Sequence, residues 1–136
     1  MMDTSVLVAA LHAGDENHNV AQAIWKQTLS GKHGRAVSLD HVLDEGLTLL
    51  RRRPGREDVS RKLAAMFVGA EDHPPLVALQ PFDRDAILRA LNLHFERYDR
   101  GLSFTDCALV VLAQDLGCPI ASFDTHFDGI VRRVSS

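Results

Sequence analysis

The sequence predicts an α/β fold, a single parallel sheet of about five strands with helices on both of its faces. Short apolar segments alternate with longer segments whose apolar residues recur at helical spacing, and this order is typical of strand-helix-strand units. Glycine and proline breaks, such as Pro54-Gly55 and Gly117-Cys118-Pro119, separate the segments. A chain of 136 residues can bury a core of its own, so we expect one domain over residues 1–136.

The first half of the chain is predicted to contain two strands and four helices. These are a short strand at Met1 to Asp3, helices over Val6 to Leu11 and Asn17 to Leu29, a strand at Arg35 to Leu39, and helices over Asp40 to Arg52 and Glu57 to Gly69. The third of these helices has one apolar face, formed by Val42, Leu43, Leu47, Leu49 and Leu50. Pro54-Gly55 then ends it, because proline cannot continue a helix and glycine favours a turn.

The second half is predicted to contain three strands and two helices. The strands lie at Leu76 to Leu79, Pro119 to Phe123 and Gly129 to Val134, and the helices over Asp83 to Tyr98 and Ser103 to Leu116. The first of these helices is amphipathic, and the apolar residues expected to face inward are Ile87, Leu88, Leu91, Phe95 and Tyr98. The second is apolar nearly all round from Cys107 to Ala113, which predicts burial on most sides and a central position.

The composition favours a cytoplasmic globular protein. Hydrophobic residues make up 46% and charged residues 24% of the chain, which is ordinary for a soluble domain. The longest strongly apolar run, Cys107 to Ala113, is far shorter than the ~20 residues that span a bilayer, and the N-terminus lacks the pattern of a secretory signal. We therefore expect no association with a membrane. Because the net charge is -3, a bound polyanion would be held by local basic patches or through metal ions.

Acidic residues stand at positions where an α/β fold places its ligand sites. Asp3 and Asp124 come at the ends of predicted strands, and sites in open parallel sheets lie beyond the carboxyl ends of the strands. Asp106 lies at the exposed start of the buried helix, where Ser103-Phe104-Thr105-Asp106 also matches a helix-capping box. Asp3 and Asp124 also have structural explanations, because Asp3 suits a helix cap and Asp124 suits a turn.

The third helix offers three more acids, Asp40, Asp44 and Glu45. Glu45 adjoins the Leu49 edge of the apolar face, whereas Asp40 and Asp44 lie beyond the opposite edge. Helical periodicity does not choose among the three, and a solvated acidic flank explains them equally well. Clustered carboxylates suit Mg²⁺ or Mn²⁺, which take hard oxygen ligands. Ions held in this way activate water and stabilise charge on a phosphodiester, so phosphodiester hydrolysis is the reaction that this pattern favours.

Four segments together resemble the PIN-domain nucleases, and most closely the toxins of VapBC toxin-antitoxin pairs. They occur in the family's order and spacing over essentially the whole chain, at Asp3 to Ala9, Val42 to Leu50, Leu102 to Asp106 and Ala121 to Phe127. The resemblance implies that the catalytic and metal-binding acids are Asp3, Glu45, Asp106 and Asp124. It thus chooses Glu45 among the acids of the third helix.

The resemblance also implies Mg²⁺ or Mn²⁺ as cofactor, RNA as substrate, a homodimer, and an antitoxin whose tail enters the acidic cleft. Hydroxyl groups expected to orient the acids or bound waters belong to Thr4, Ser5, Thr105 and Ser122. Asp128 is a further acid near the last motif. Family members usually have a longer first strand than the two residues before Asp3, so either the start of this sequence is truncated or the first strand is short. In the second case we expect Asp3 to be less rigidly held than its partners.

Arginine and aromatic residues have structural as well as functional explanations. A basic cluster that could contact phosphates, or could suit the dipole at the end of a helix, consists of Arg51, Arg52, Arg53 and Arg56. Aromatic side chains expected in the core or at a dimer contact, rather than stacked on bases, are Phe82, Phe95, Phe104, Phe127 and Tyr98. The histidines lack zinc-ligand spacing, and only His126, beside Asp124, merits a test.

Three other functions compete with that of a toxin nuclease. One is a PIN nuclease that processes RNA, and another is a non-catalytic PIN-like domain that binds RNA or a protein partner. A phosphoacceptor domain has the same fold class, but it would need a lysine after the late strands, and the only lysines are Lys26, Lys32 and Lys62. The presence of all four motif acids favours a catalytic domain.

Overall fold

Six α-helices and four short strands alternate along the chain in the computed structural model, which describes residues 1–136. The helices are α1 (Thr4–Leu11), α2 (His18–Leu29), α3 (Asp40–Arg51), α4 (Glu57–Val68), α5 (Arg84–Glu96) and α6 (Phe104–Asp115). The strands are β1 (Val37–Ser38), β2 (Ala78–Leu79), β3 (Ile120–Ala121) and β4 (Arg133–Val134). Two short 3-10 helices that were not predicted follow α5 and β3, at Tyr98–Arg100 and Thr125–Phe127.

The strands form two parallel pairs that the N-terminal segment links. β1 pairs with β2, and β3 pairs with β4. The Met2 amide donates to the Val37 carbonyl at 2.8 Å, and the Asp3 amide donates to the Ala121 carbonyl at 3.1 Å, so the segment bonds to both pairs. The parallel α/β arrangement is therefore confirmed. Each strand has only two residues, however, and a continuous five-stranded sheet stays a prediction.

Helix α6 runs through the core. Its residues from Cys107 to Ala113 are all buried, which confirms the prediction from their uniformly apolar character. α5 packs along α6, whereas α1 packs against α2, α3 and α4. Phe127 is fully buried, and Met1 and Met2 are only 7% and 2% exposed. No helix combines the length and the apolar character needed to cross a lipid bilayer.

The prediction for the inward face of α5 is wrong. Its larger apolar residues lie mostly at the surface, because Ile87, Leu88, Phe95 and Tyr98 are exposed and Leu91 is only partly buried. The buried residues of α5 are Ala86 and Ala90. Small side chains let two helices approach closely, so a stripe of alanines facing α6 leaves the larger apolar residues on the outer side. The helix also ends at Glu96, and Tyr98 begins a 3-10 helix.

Helix α1 begins at Thr4, two residues before its predicted start at Val6. Asp3 is the N-cap, and its carboxylate accepts hydrogen bonds from the amides of Thr4 at 2.7 Å and Ser5 at 3.4 Å. A cap of this kind stabilises a helix by about 1 kcal/mol. Asp3 therefore does cap the helix, which was the structural alternative to a role in the site. Its carboxylate lies at the end of the first extended segment.

Candidate active site

A polar cleft of about 660 Å³ contains all four predicted site acids, Asp3, Glu45, Asp106 and Asp124. Only Leu49 among its thirteen lining residues is hydrophobic, so the cleft suits a charged or strongly polar ligand. Three of the four predicted hydroxyl residues line it as well, namely Thr4, Ser5 and Thr105. The fourth, Ser122, is fully buried and reaches the cleft through its hydrogen bond to Asp3.

Each acid reaches the cleft from a different element of the fold. Asp3 follows the N-terminal segment and Asp124 follows β3, so both lie beyond the carboxyl ends of neighbouring parallel segments. Glu45 stands in the second turn of α3, and Asp106 stands in the first turn of α6. The fold therefore gathers carboxylates that are distant in sequence.

Asp3 is held by hydroxyl and amide donors. Asp3 is only 6% exposed, and a buried carboxylate needs hydrogen bonds to replace its lost hydration. Oδ1 accepts from the Thr4 amide at 2.7 Å, and Oδ2 accepts from the hydroxyls of Ser5 and Ser122, each at 2.7 Å. These contacts contradict the expectation that a short first strand leaves Asp3 loosely held, because side chains from two segments fix it instead.

The same two serine hydroxyls fix the loop that carries Asp124. The Ser5 hydroxyl accepts from the Phe123 amide at 3.1 Å, and the Ser122 hydroxyl accepts from the Asp124 amide at 2.9 Å. Each serine has one hydroxyl proton and donates it to Asp3, so their mutual contact at 3.3 Å is not a further hydrogen bond. Ser5 and Ser122 thereby couple the position of Asp3 to that of Asp124.

Glu45 is positioned by close packing of α3 against α1 and α4. The Thr4 hydroxyl donates to Glu45 Oε2 at 2.6 Å. The next residue, Gly46, is buried, and a Cβ atom there would lie 2.6 Å from Leu63 Cδ2 and 3.7 Å from Thr4 Cγ2. A side chain at this position would have to displace the end of the Leu63 side chain, so the glycine permits the close packing of α3 on α4. Sequence reasoning missed Gly46 as a supporting residue, because its need for space arises only from tertiary packing.

Asp106 caps α6 and also lines the cleft. Its Oδ2 accepts from the Ser103 amide at 2.8 Å, and its own amide donates to Ser103 Oγ at 3.1 Å, which confirms the predicted capping box. Burial raises the pKa of the Asp106 carboxyl, and the negative charges of Asp3 and Asp124 add to this, although the hydrogen bonds from Ser103 act against it. Oδ1 has no partner within the protein, so capping leaves it free for a ligand.

The remaining candidate acids differ in their relation to the cleft. Asp44 lines it together with Glu45, whereas Asp40 lies outside it. Asp128 also lies outside, and its two oxygens accept from Arg133 at 2.7 and 2.9 Å. This contact lowers the pKa of the Asp128 carboxyl. The structure thus removes Asp40 and Asp128 from the group of cleft acids and retains Asp44 beside Glu45.

Two histidines stand near the acids in different ways. His41 lines the cleft and contacts Phe82 and Phe104 edge-on, with ring centroids 5.3 and 6.1 Å away. Both phenylalanines are partly buried, so they support the position of His41 rather than offering open stacking faces. His126 lies outside the cleft lining, and its Nδ1 is 3.2 Å from Asp124 Oδ1. It can therefore act on the cleft only through Asp124.

The donor set of the cleft fits a divalent metal ion. Mg²⁺ and Mn²⁺ prefer oxygen ligands, and a protein usually supplies one or two carboxylates while water and substrate phosphate fill the other positions. The structure draws no three acid, histidine or cysteine side chains together around a single point. These residues therefore fit an open site with few protein ligands rather than a closed cage. Arg52 is the only lysine or arginine that lines the cleft to offset the acidic charge.

Comparison with known proteins places these features in a family. Residues 1–132 match the model of the PIN domain. The chain is 29% identical over 128 residues to a VapC ribonuclease of Archaeoglobus fulgidus, a match that covers 93% of this chain and 78% of that protein. The crystal structure of VapC20 of Mycobacterium tuberculosis, a sarcin-ricin loop cleaving toxin, is similar with a TM-score of 0.77 and 27% identity, over 93% of this chain and 90% of the other. Because the family model spans nearly the whole sequence, the chain belongs to the PIN-domain family.

Proposed function

We propose that this protein is a metal-dependent ribonuclease that hydrolyses phosphodiester bonds of RNA, and that it is the toxin of a cytoplasmic toxin-antitoxin pair. The observation that carries the proposal is the presence of Asp3, Glu45, Asp106 and Asp124 in one polar cleft. The relatives support it, because one is a VapC ribonuclease and another is a toxin that cleaves the sarcin-ricin loop.

In this proposal carboxylates among the four acids would hold Mg²⁺ or Mn²⁺ together with water and substrate oxygens, and the ion would supply an activated water and offset charge on the scissile phosphate. The protein's own contribution is alignment. Ser5 and Ser122 hold Asp3 in one orientation, and Thr4 does the same for Glu45. Charged groups that are already aligned need no reorganisation when charge develops during the reaction.

The polar residues around the acids have supporting roles in the same proposal. Thr105 and Asp44 line the cleft, where they are suited to bind water or the ribose and phosphate of the substrate. Burial raises the pKa of the Asp106 carboxyl, and its Oδ1 is free to bind a ligand. We therefore assign Asp106 as a metal-binding acid, and we expect it to bind the metal ion less well at acid pH, where the carboxyl is protonated.

Cleavage of labelled RNA by the purified protein tests the proposal. We expect cleavage of a mixture of ribosomal and transfer RNA in Mg²⁺ or Mn²⁺, none in EDTA, and a loss of at least about 100-fold in rate for Asp106→Asn. Asp72→Asn is the matched control, because it changes an exposed acid that lies outside the cleft, and it should cleave like the wild type. Circular dichroism checks that each variant is folded. Undiminished cleavage by a folded Asp106→Asn variant would overturn the site assignment.

We further propose that the chain forms a homodimer and binds an antitoxin protein. Exposed apolar side chains at helical spacing on one side of α5 support a protein contact there, because monomers rarely expose such a patch: Ile87, Leu88 and Phe95. Sedimentation should give the mass of two chains for the wild type and of one chain for Leu88→Arg, and a monomeric wild type would exclude the dimer. A small antitoxin reading frame beside the gene would separate a toxin from an RNA-processing nuclease.

A further inference from the structure

His41 lines the acidic cleft, yet its side chain has no part in the proposed metal binding. It lies in the first turn of α3, four residues before Glu45, and both residues line the cleft. Residues four apart in a helix lie on the same face, with Cβ atoms about 5–6 Å apart. The imidazole ring of His41 is therefore next to one of the acids that we assign to the active site.

The imidazole ring is held in one orientation by groups on different sides. Its Nδ1 donates a hydrogen bond to Oδ1 of Asp40 at 2.9 Å. Its other contacts are edge-on to Phe82 and Phe104, with interplanar angles of 84° and 62°. Phe82 precedes α5 and Phe104 is the first residue of α6, so two further segments of the chain fix the ring. Rotation of the ring would break these contacts.

The hydrogen bond to Asp40 decides what the other ring nitrogen can do. A carboxylate only accepts hydrogen bonds, so the proton of the neutral imidazole is on Nδ1 and Nε2 has a lone pair. Nε2 of His41 has no hydrogen-bond partner in the protein. It is also accessible, because Arg56 Nε is the only buried side-chain nitrogen or oxygen without a partner. His41 thus offers an oriented and unused hydrogen-bond acceptor.

We propose that Nε2 of His41 accepts a hydrogen bond from a ribose 2′-hydroxyl of the substrate, and that this contact makes the cleft prefer RNA to DNA. The inference rests on the proposed ribonuclease function. Phosphate oxygens of the RNA backbone only accept hydrogen bonds, whereas the 2′-hydroxyl can donate one, and DNA lacks it. The 2′-carbon adjoins the carbon that carries the 3′-oxygen of the phosphodiester. A strand with a phosphate at the acids therefore brings a 2′-hydroxyl close to His41.

Asp40 has a positioning role in this proposal. It lies outside the cleft, and its side chain is 75% exposed, so it acts on the substrate only through His41. Its Oδ1 also accepts from the His41 amide at 2.9 Å, which holds the carboxylate beside the ring. Without this carboxylate the ring proton can move to Nε2, which then donates instead of accepting. Loss of Asp40 should therefore weaken the same contact with the substrate.

Cleavage of substrates that lack a single 2′-hydroxyl tests the inference. The parent substrate is a short RNA that the wild type cleaves at one bond in Mg²⁺, and each variant substrate has one 2′-deoxynucleotide near that bond. His41→Phe keeps an aromatic ring against Phe82 and Phe104 but removes the acceptor. His73→Phe is the matched control, because His73 lies outside the cleft and its side chain is similarly exposed, 31% against 36% for His41.

The expected result is that His41 and one particular 2′-hydroxyl depend on each other. Removal of that hydroxyl should lower kcat/KM about tenfold for the wild type and for His73→Phe, which is the size of one hydrogen bond at a site open to water. His41→Phe should cleave the parent RNA about tenfold more slowly than the wild type, and removal of the hydroxyl should slow it no further. For Asp40→Ala the effect of the hydroxyl should decrease to about threefold.

The other outcomes separate the two proposals. If the wild type cleaves RNA and every 2′-deoxy substitution affects His41→Phe and the wild type equally, His41 does not bind a 2′-hydroxyl, while the ribonuclease function stands. This includes the case in which His41→Phe slows the cleavage of all substrates by the same factor. If His41→Phe does not fold, Asp40→Ala decides, and an undiminished effect of the hydroxyl in that variant refutes the inference. If the wild type cleaves no RNA, the ribonuclease function fails and the inference fails with it.

Discussion

The hydroxyl of Ser122 is a small group with a large expected effect on stability. It is fully buried, donates to Asp3 Oδ2 at 2.7 Å, and accepts from the Asp124 amide at 2.9 Å. Ser122→Ala removes a hydrogen bond to a carboxylate, worth about 1.5–3 kcal/mol, and leaves the Asp124 amide without a partner at a cost of about 1 kcal/mol. We therefore expect the free energy of unfolding to fall by about 3 kcal/mol, a large part of the total stability of a domain.

Thermal unfolding in EDTA, followed by circular dichroism, measures this loss without a contribution from bound metal. For a chain of 136 residues the expected decrease in Tm is about 10 °C. Ser30→Ala is the matched control, because the Ser30 hydroxyl is exposed and donates only to the Gln27 carbonyl, so its loss should change stability by no more than about 0.5 kcal/mol. A decrease of less than about 2 °C for Ser122→Ala would refute the view that this hydroxyl supports Asp3.

Three further predictions concern the same cleft. Because burial and neighbouring charges raise the pKa of Asp106, the folded protein binds more protons than the unfolded chain between the ordinary and the raised pKa, and stability falls as pH rises through this interval. Asp106→Asn should therefore have a higher Tm than the wild type in EDTA at neutral pH, and the difference should vanish well below the ordinary pKa of about 3.9. Mg²⁺ at millimolar concentration should raise the Tm of the wild type and leave that of Asp106→Asn unchanged; equal increases would place the metal elsewhere. Gly46→Leu should cost about 1–3 kcal/mol in urea unfolding, because a Cβ atom at this buried position already lies 2.6 Å from Leu63 Cδ2 and a longer side chain has no room between α3 and α4; a stabilised variant would disprove the tight packing of α3 on α4.

Most helices could be predicted from local sequence. The bounds of α2, α3, α4 and α6 agree with the predicted ones to within one residue at each end, because caps and apolar periodicity are properties of neighbouring residues. The strands are shorter than predicted, since their extent depends on hydrogen bonds to distant segments. The prediction of which residues of α5 face the core was wrong for a related reason. Periodicity reveals an apolar face, but it does not show whether the core of the same chain covers that face.

Three of the four site acids could be predicted from their positions at the ends of predicted elements. Asp3 and Asp124 follow from the rule for strand ends, and Asp106 follows from the start of a buried helix. Periodicity left Asp40, Asp44 and Glu45 undecided, and the structure excludes only Asp40 from the cleft. The basic cluster stayed ambiguous as well, since only the structure shows that Arg52 lines the acidic cleft while Arg51 and Arg53 line a separate cavity.

Cleavage by a matched pair of variants tests the central claim, that the acidic cleft is the active site. Asp124 lines the cleft, whereas Asp128, in the same loop region, lies outside it and is paired with Arg133. With labelled RNA and Mg²⁺, we predict that Asp124→Asn lowers the cleavage rate at least about 100-fold and that Asp128→Asn stays within about threefold of the wild type. Equal rates for the two folded variants would contradict the claim.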